Sequence, residues 1–350
     1  MDIRPGEKRS EKPEKGDKNM AGITVVLDRK ELVVRMEAET MRVDRPDCRL
    51  QRFPLAMIER VVVVGRPMVS CDVWRALAGR NIPALLLSGR RDGATAHIGP
   101  GLSASAAVRL AQFRAYENRN LTMTVCRWLL SEKLGGQERN LGEPGKGGAA
   151  LDACRQQIKA ANRSLHGAHG RNELMGLEGS AASAYFRAIS QVVPEKWKFT
   201  GRNRRPPRDP VNALLSLSYT LGLSEVRREI LRAGLDPAFG FLHALQSGRD
   251  SLALDLLEPL RPKIDRFVLD IIRDQLTLRD FSTNSQDGCR LNKSGREGFF
   301  QAWVRWLADA EGADAARLQS IIGQQMIPTL LAMIKADTGG PEVQATQDLE

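Results

Sequence analysis

Of the four histidines in this chain, one keeps company suited to chemistry. His243 follows Phe239-Gly240-Phe241-Leu242 and precedes Ser251-Leu252-Ala253-Leu254-Asp255-Leu256-Leu257-Glu258-Pro259, where two carboxylates sit three apart in an apolar run. On a helix that spacing turns both to one side. Burying an unpaired carboxylate is costly, so such groups are matched to a metal, an amine or an arginine. Arg261 and Arg266 offer a purely structural pairing. A third carboxylate, Glu178, repeats the pattern within Leu174-Met175-Gly176-Leu177-Glu178-Gly179-Ser180-Ala181-Ala182-Ser183-Ala184-Tyr185-Phe186. Helical spacing puts Leu174, Ala181, Ala182, Tyr185 and Ile189 on its face, and the small neighbours leave room for an approaching group. Glu178, His243 and Glu258 would make a mixed nitrogen and oxygen donor set suited to magnesium or manganese, with positions open for phosphate and water.

The remaining candidates are weaker. His166 and His169 are spaced i, i+3, but Gly167 and Gly170 argue for a loop and no third ligand lies close by in sequence. His97 falls at the end of a strand-like region. Cys48, Cys71, Cys126, Cys154 and Cys289 form no CxxC pair, which speaks against a thiolate zinc site or a disulfide framework and for a reducing cytoplasm. The glycine-rich stretch Gly135–Gly148 is expected to be a mobile surface loop. Its Gly145-Lys146-Gly147 lacks the spacing and the Ser or Thr of a phosphate-binding loop, so no nucleotide cofactor is expected.

A net charge of +10 and a pI near 9.6 favour a polyanionic partner. Lys196, Lys198, Arg202, Arg204, Arg205 and Arg208, with Trp197 and Phe199 interleaved, form a natural phosphate contact. No run approaches the ~20 apolar residues of a membrane span.

These groups must be positioned by two kinds of element. Residues 1–20 are polar and charged, and read as a disordered extension. Short β-branched runs at Ile23–Leu27, Leu32–Met36, Thr40–Val43, Arg49–Phe53, Ile58–Val64 and Ala84–Leu87 predict strands. One helix is expected among them, capped by Ser70, with Val73, Trp74 and Leu77 on one face and Gly79 at its end. Beyond Gly99-Pro100-Gly101 helical spacing takes over, as in Leu121, Val125, Trp128 and Leu129. The expected fold is α+β: a small β-rich domain over 21–100, a larger all-helical catalytic domain over 101–337 and a flexible tail over 338–350.

The ordered motifs resemble a known family, the CRISPR-associated integrase of spacer acquisition (the Cas-one family). They are Leu177-Glu178-Gly179 with Tyr185-Phe186, Arg204–Tyr219, Gly240-Phe241-Leu242-His243, Ser251–Pro262 and Asp287–Arg296. The resemblance spans Gly22 to Ala336. It implies a β-rich domain before a helical catalytic domain, a homodimer, and assembly with a small ferredoxin-like CRISPR-associated partner (Cas-two) on double-stranded DNA. The family's metal ligands map to Glu178, His243 and Glu258, with Asp255 as a direct ligand or a support. Two positions depart from the common pattern: Leu260 where many relatives carry an aromatic, and Glu258 where others have Asp.

The implied reaction is transesterification, in which a 3′-hydroxyl of a short DNA fragment attacks a phosphodiester of the repeat array. A stand-alone metal nuclease acting on branched DNA would use the same site, and a non-catalytic architectural DNA binder would use only the charge. A tyrosine recombinase is disfavoured, since none of the three tyrosines sits in a suitable arginine and histidine constellation.

Overall fold

A computed structural model describes residues 23–45, 50–88, 95–98, 106–143, 145–203, 206–284, 288–308 and 318–338. The expectations for the two tails, and for Arg204, Arg205 and Asp287, lie outside these residues.

Among the described residues, the first part is built from eight strands and an α-helix. Strands β1 (Ile23–Leu27), β2 (Val33–Glu37), β3 (Thr40–Asp44), β4 (Gln51–Pro54), β5 (Ile58–Val64), β6 (Met68–Val69), β7 (Ala84–Leu87) and β8 (Ala96–Ile98) form two sheets, ordered β1-β5-β7-β8 and β4-β3-β2-β6. In the first, β5 pairs in parallel with both β1 and β7, so it is central and can be apolar on both faces. The period of two decides which way each residue looks. Val61 and Val63 join a core shared with Val25, Leu27, Val34, Met41 and Val43, while Val62 points into the helical core with Leu85.

Helix α1 (Cys71–Gly79) buries Val73 and Leu77 in the first of these cores. Ser70 holds the N-cap position with extended backbone, but its side chain makes no cap bond. The sheet is also fastened to the helices by a buried ion pair, Arg60 on β5 to Glu225 on α6 at 3.0 Å, and by Arg228 of the same helix, which reaches the half-buried Glu59 of β5 at 3.6 Å.

The second part comprises α2 (Ala106–Glu117), α3 (Arg119–Asn140), α4 (Ala149–Ser164), α5 (Arg171–Val192), α6 (Pro210–Arg232), α7 (Ser251–Leu257), α8 (Arg261–Asp274) and α9 (Lys293–Ala308), then a π-helical segment leading into Ile327–Thr338. Asn118 caps α3 by accepting from the Asn120 and Leu121 amides, and Asp209 caps α6 by accepting from the Asn212 amide ahead of Pro210.

Two expectations are corrected. The region beyond residue 101 is not all helical, because β9 (Phe281–Asn284) and β10 (Gly288–Leu291) form an antiparallel hairpin. Gly288 has φ +75°, and a Cβ there would meet the Pro207 carbonyl oxygen at 2.3 Å, so only glycine permits the hairpin to lie against the segment before α6. The Cys289 amide donates to that same oxygen at 2.8 Å.

The other correction concerns Gly135–Gly148, whose opening residues are not loop: α3 continues through Gly135 and Gly136 to Asn140. A Cβ on Gly136 would lie 2.9 Å from both Cβ and Cγ of Pro262, at the start of α8, so this glycine serves close helix packing. Gly136→Ala is therefore expected to destabilise the protein by about 1–3 kcal/mol through overpacking. Gly135→Ala meets only Arg139 Nη1 at 3.5 Å and should be neutral or stabilise by roughly 0.5–1 kcal/mol. Urea midpoints of the two variants separate in opposite directions if the packing argument holds.

Candidate active site

Three elements deliver charge to one buried point. From α3 comes Lys133, whose position four residues after Leu129 places it on the buried face; from α5 comes Glu178; from the 3₁₀ turn Glu258–Leu260, directly after α7, comes Glu258. The Lys133 Nζ stands 2.5 Å from Glu178 Oε1 and 2.5 Å from Glu258 Oε2. Glu258 Oε1 in turn forms an ion pair with Arg261, whose Nε lies 2.9 Å away. Lys133 and Glu258 are buried, whereas the Glu178 side chain is 22% exposed and opens the cluster to solvent.

Charge balance follows from these distances. Burial pushes the Glu258 carboxyl up, but Lys133 and Arg261 outweigh it and hold the group down at about 2. Burial likewise works against the Lys133 ammonium, and Glu258 and Glu178 more than compensate, so its pKa is raised. Glu258 thus remains a carboxylate bound to cations. Of the two arginines offered by the sequence as structural partners, Arg261 takes that role, while Arg266 pairs with Asp270 on the outside of α8.

His243 is set by Asp255. The Asp255 side chain is fully buried and receives four contacts: its Oδ2 accepts the Phe241 and Leu242 amides at 2.5 and 2.9 Å, and its Oδ1 accepts the His243 amide at 2.9 Å and meets His243 Nδ1 at 2.7 Å. A tautomer with the proton on Nδ1 satisfies that last contact and leaves the Nε2 lone pair free. Gly240 makes the wrap possible, since a Cβ there would lie 2.6 Å from the Ser251 carbonyl carbon and 2.7 Å from Asp255 Oδ2. His243 also acts electrostatically on Glu258, contributing to its lowered pKa.

Behind Arg261 lies a polar support. Its guanidinium carbon sits 4.5 Å from the Tyr219 ring centre, Tyr219 donates its hydroxyl to Asp265, and Asn140 donates to the Tyr185 hydroxyl at 2.9 Å. Burial pushes the Asp265 carboxyl up to about 6 from its ordinary 3.8, despite bonds from Tyr219 and Tyr185. A raised carboxyl favours folding while protonated, so its contribution is full below pH 3.8 and is lost as pH rises through about 6. Asp265→Asn is expected to remove this decline from the stability profile; an unchanged slope between those pH values would show that Asp265 does not titrate there.

The donor set suits a hard divalent cation: two carboxylates, and an imidazole whose other nitrogen is held by a carboxylate, an arrangement typical of metal-bound histidine. The sites are not equally gathered, however. Among the described residues no three His, Cys, Asp or Glu side chains cluster closely enough to enclose an ion, and the place between Glu178 and Glu258 is taken by Lys133.

The basic segment divides. Lys196, Lys198 and Arg208 are exposed, and Lys198 has φ +51°. Arg202 instead donates to Asn212 Oδ1 at 2.8 Å and to Ser216 Oγ at 3.2 Å, so it fastens the loop to α6. Trp197 and Phe199 are buried core residues and not a stacking platform. His97 lies half-buried on β8, with its pKa lowered by burial and by Arg227, while the segment carrying His166 and His169 is a short 3₁₀ turn and loop, and among the described residues neither histidine belongs to a group able to hold a metal.

A strand-rich part joined to a helical part, with carboxylates, a carboxylate-backed histidine and two basic side chains at the helical centre, defines an α+β protein with an acidic centre in its helical part. The family profile for CRISPR associated protein Cas1 matches residues 25–305, and the chain belongs to that family. Among its relatives, CRISPR-associated endonuclease Cas1 1 of Thermodesulfovibrio yellowstonii is 33% identical over 81% of this chain and 91% of its own length. CRISPR-associated endonuclease Cas1 3 of Thermus thermophilus is 35% identical over 81% of this chain and 83% of its own. The fold is shared with a CAS1 protein from Thermotoga maritima (TM-score 0.77, 24% identity, 89% of this chain and 97% of that one). It is shared too with a casposase bound to its integration product (TM-score 0.75, 20% identity, 89% and 91%). Among the described residues no helix is long and apolar enough to cross a membrane.

Proposed function

We propose that this chain is a metal-dependent DNA integrase of CRISPR adaptation, with endonuclease activity at the same site. The observation that carries the proposal is the convergence of Glu178 and Glu258 on one buried point, beside a His243 whose Nδ1 is held by Asp255. Family membership supports it, since the relatives are named endonucleases and a structural neighbour is a casposase with its integration product.

Glu178, Glu258 and the Nε2 of His243 would hold magnesium or manganese, which when bound supplies Lewis acidity at the phosphodiester and makes the attacking hydroxyl more acidic. Asp255 fixes the imidazole and prevents its rotation, while Arg261 keeps Glu258 ionised. In the joining reaction a fragment's 3′-oxygen forms a new bond to a repeat phosphorus as the bond to the existing 3′-oxygen breaks, so the number of phosphodiesters is unchanged. Water in place of the 3′-hydroxyl gives strand cleavage. The chain acts as a homodimer with the small ferredoxin-like partner Cas-two, in the cytoplasm. Incubating the purified chain and that partner with fragments and a supercoiled array plasmid tests the reading: joined products support it, and cleavage without joining leaves the nuclease alone.

Lys196, Lys198, Arg204, Arg205 and Arg208 would contact DNA phosphates, so affinity should fall with salt at a log–log slope of about −0.9 per contact on duplex DNA. Replacing Lys196 and Lys198 together should weaken binding to unrelated duplexes alike and make the slope shallower by up to about 2. An unchanged slope and affinity would remove these lysines from the DNA surface.

A further inference from the structure

The centre already contains a cation. Glu258 has no uncommitted oxygen: Oε1 carries Arg261 at 2.9 Å and Oε2 carries Lys133 at 2.5 Å. The same Nζ is 2.5 Å from Glu178 Oε1, so a single ammonium bridges the two carboxylates. A magnesium ion binding oxygen at about 2.1 Å, shared between those two oxygens, would need the volume that Nζ fills. Two cations cannot occupy it together, so a metal at this centre must displace one of the two basic side chains from Glu258.

The surroundings decide which one yields. Arg261 is wedged, with its guanidinium over the Tyr219 ring at 4.5 Å and Tyr219 tied to Asp265. It also holds Glu258 through a planar, delocalised group that is always charged. Lys133 reaches the point on a flexible four-carbon stem, and its hydrogen-bond partners among the described residues are the very carboxylates the metal would take. Among the described residues, retracting it breaks no hydrogen bond or ion pair beyond those two, whereas removing Arg261 also uncovers the Tyr219 ring.

The geometry points to Lys133 as a resident counter-ion that occupies the metal position, holds Glu178 and Glu258 together as carboxylates without metal, and is exchanged for the divalent ion when the centre loads. This rests on the metal reading of the preceding section. It makes Lys133 a positioning residue whose ammonium and the metal are mutually exclusive ligands of the same pair of acids. Their coupling is reciprocal: whatever the lysine adds to the metal-free fold is subtracted from metal affinity.

Manganese binding to the full-length chain without DNA tests the exchange, read by calorimetry and by the loss of the free-ion electron paramagnetic resonance signal. Lys133→Gln removes the competing charge and should bind manganese roughly 10- to 100-fold more tightly than the unsubstituted chain, a range typical of site–site coupling. It should also melt at a lower temperature without metal and gain more on adding manganese. Lys133→Arg keeps a charge on the acids in a grip less easily released, so it should bind manganese more weakly, and it supplies the test should the Gln variant fail to fold.

His243→Ala is the control that separates two failures. If the unsubstituted chain binds manganese in a manner lost in His243→Ala, yet Lys133→Gln binds no more tightly or Lys133→Arg no more weakly, the exchange is wrong and the metal reading stands. If no manganese binding depends on His243, the metal reading falls and takes the exchange with it.

Discussion

Glu178→Gln is expected to lower strand joining by about 1,000-fold, on the scale seen when one principal electrostatic contact to a developing charge is lost, while leaving the protein folded. The second half of that expectation follows from exposure. The Glu178 side chain is 22% exposed, so the solvent screens its bond to Lys133 and its loss costs little stability. Glu258→Gln should abolish joining equally, but with a visible loss of stability. Glu258 is buried between Lys133 and Arg261, and breaking a buried ion pair costs about 3–5 kcal/mol. His243→Ala should match Glu178→Gln in activity, since the imidazole is partly exposed and its removal leaves Asp255 with the Phe241, Leu242 and His243 amides. Joining and melting temperature measured on all three variants distinguish a shared site from shared damage. Near-normal joining by His243→Ala in manganese would remove the histidine from the site.

Much of this arrangement was legible in the residues because apolar surroundings make a charged side chain conspicuous. Asp255 and Glu258 stand out within Ser251–Leu257 and the turn after it, and Glu178 stands out beside Leu174, Ala181 and Tyr185. Strands β1, β5 and β7 were equally plain, as short apolar runs, β-branched in β1 and β5, that pack on both faces. Lys133 was not recognised, although Leu129, Leu130 and Leu134 around it carry the same signal: a lysine four residues after a core leucine must be buried or paired. A lysine is ordinarily read as a solvated residue, and its partners come from α5 and from the turn after α7, which no local pattern connects.

The failures share that cause. Gly135 and Gly136 look like loop residues until Pro262, over a hundred positions away, is known to press on the helix. Trp197 and Phe199 resemble a stacking surface when flanked by lysines, but the core claims both. The donors that surround Asp255 likewise include three backbone amides from residues 241–243, which are placed only by the tertiary fold.

Those amides carry the last expectation. Both Asp255 oxygens are committed to donors on the Phe241–His243 segment, so the carboxylate serves as the mould for that segment and for the imidazole. Asp255→Asn replaces one acceptor oxygen with an amino group that must face either two backbone amides or the His243 amide and ring. Hydrogen bonds to a charged group contribute about 1.5–3 kcal/mol, and at least one would be lost, so the variant should be less stable and its histidine less ordered. Joining should fall about 10- to 100-fold, the range for losing a partner behind a metal-bound histidine. Gly240→Ala attacks the same mould from outside: its Cβ would meet backbone atoms of Ser251 and Leu252 at 2.6 and 2.8 Å, and neither can swing aside. It should therefore cost at least about 1–3 kcal/mol and lower joining with Glu178, Glu258 and Lys133 all intact. Nitrogen NMR of the His243 ring reads the cause directly, through the proton on Nδ1 that Asp255 holds. A Gly240→Ala protein with normal joining and an undisturbed ring would mean that the segment does not position the histidine, and an Asp255→Asn protein that has lost manganese binding as completely as Glu258→Gln would make Asp255 a ligand itself.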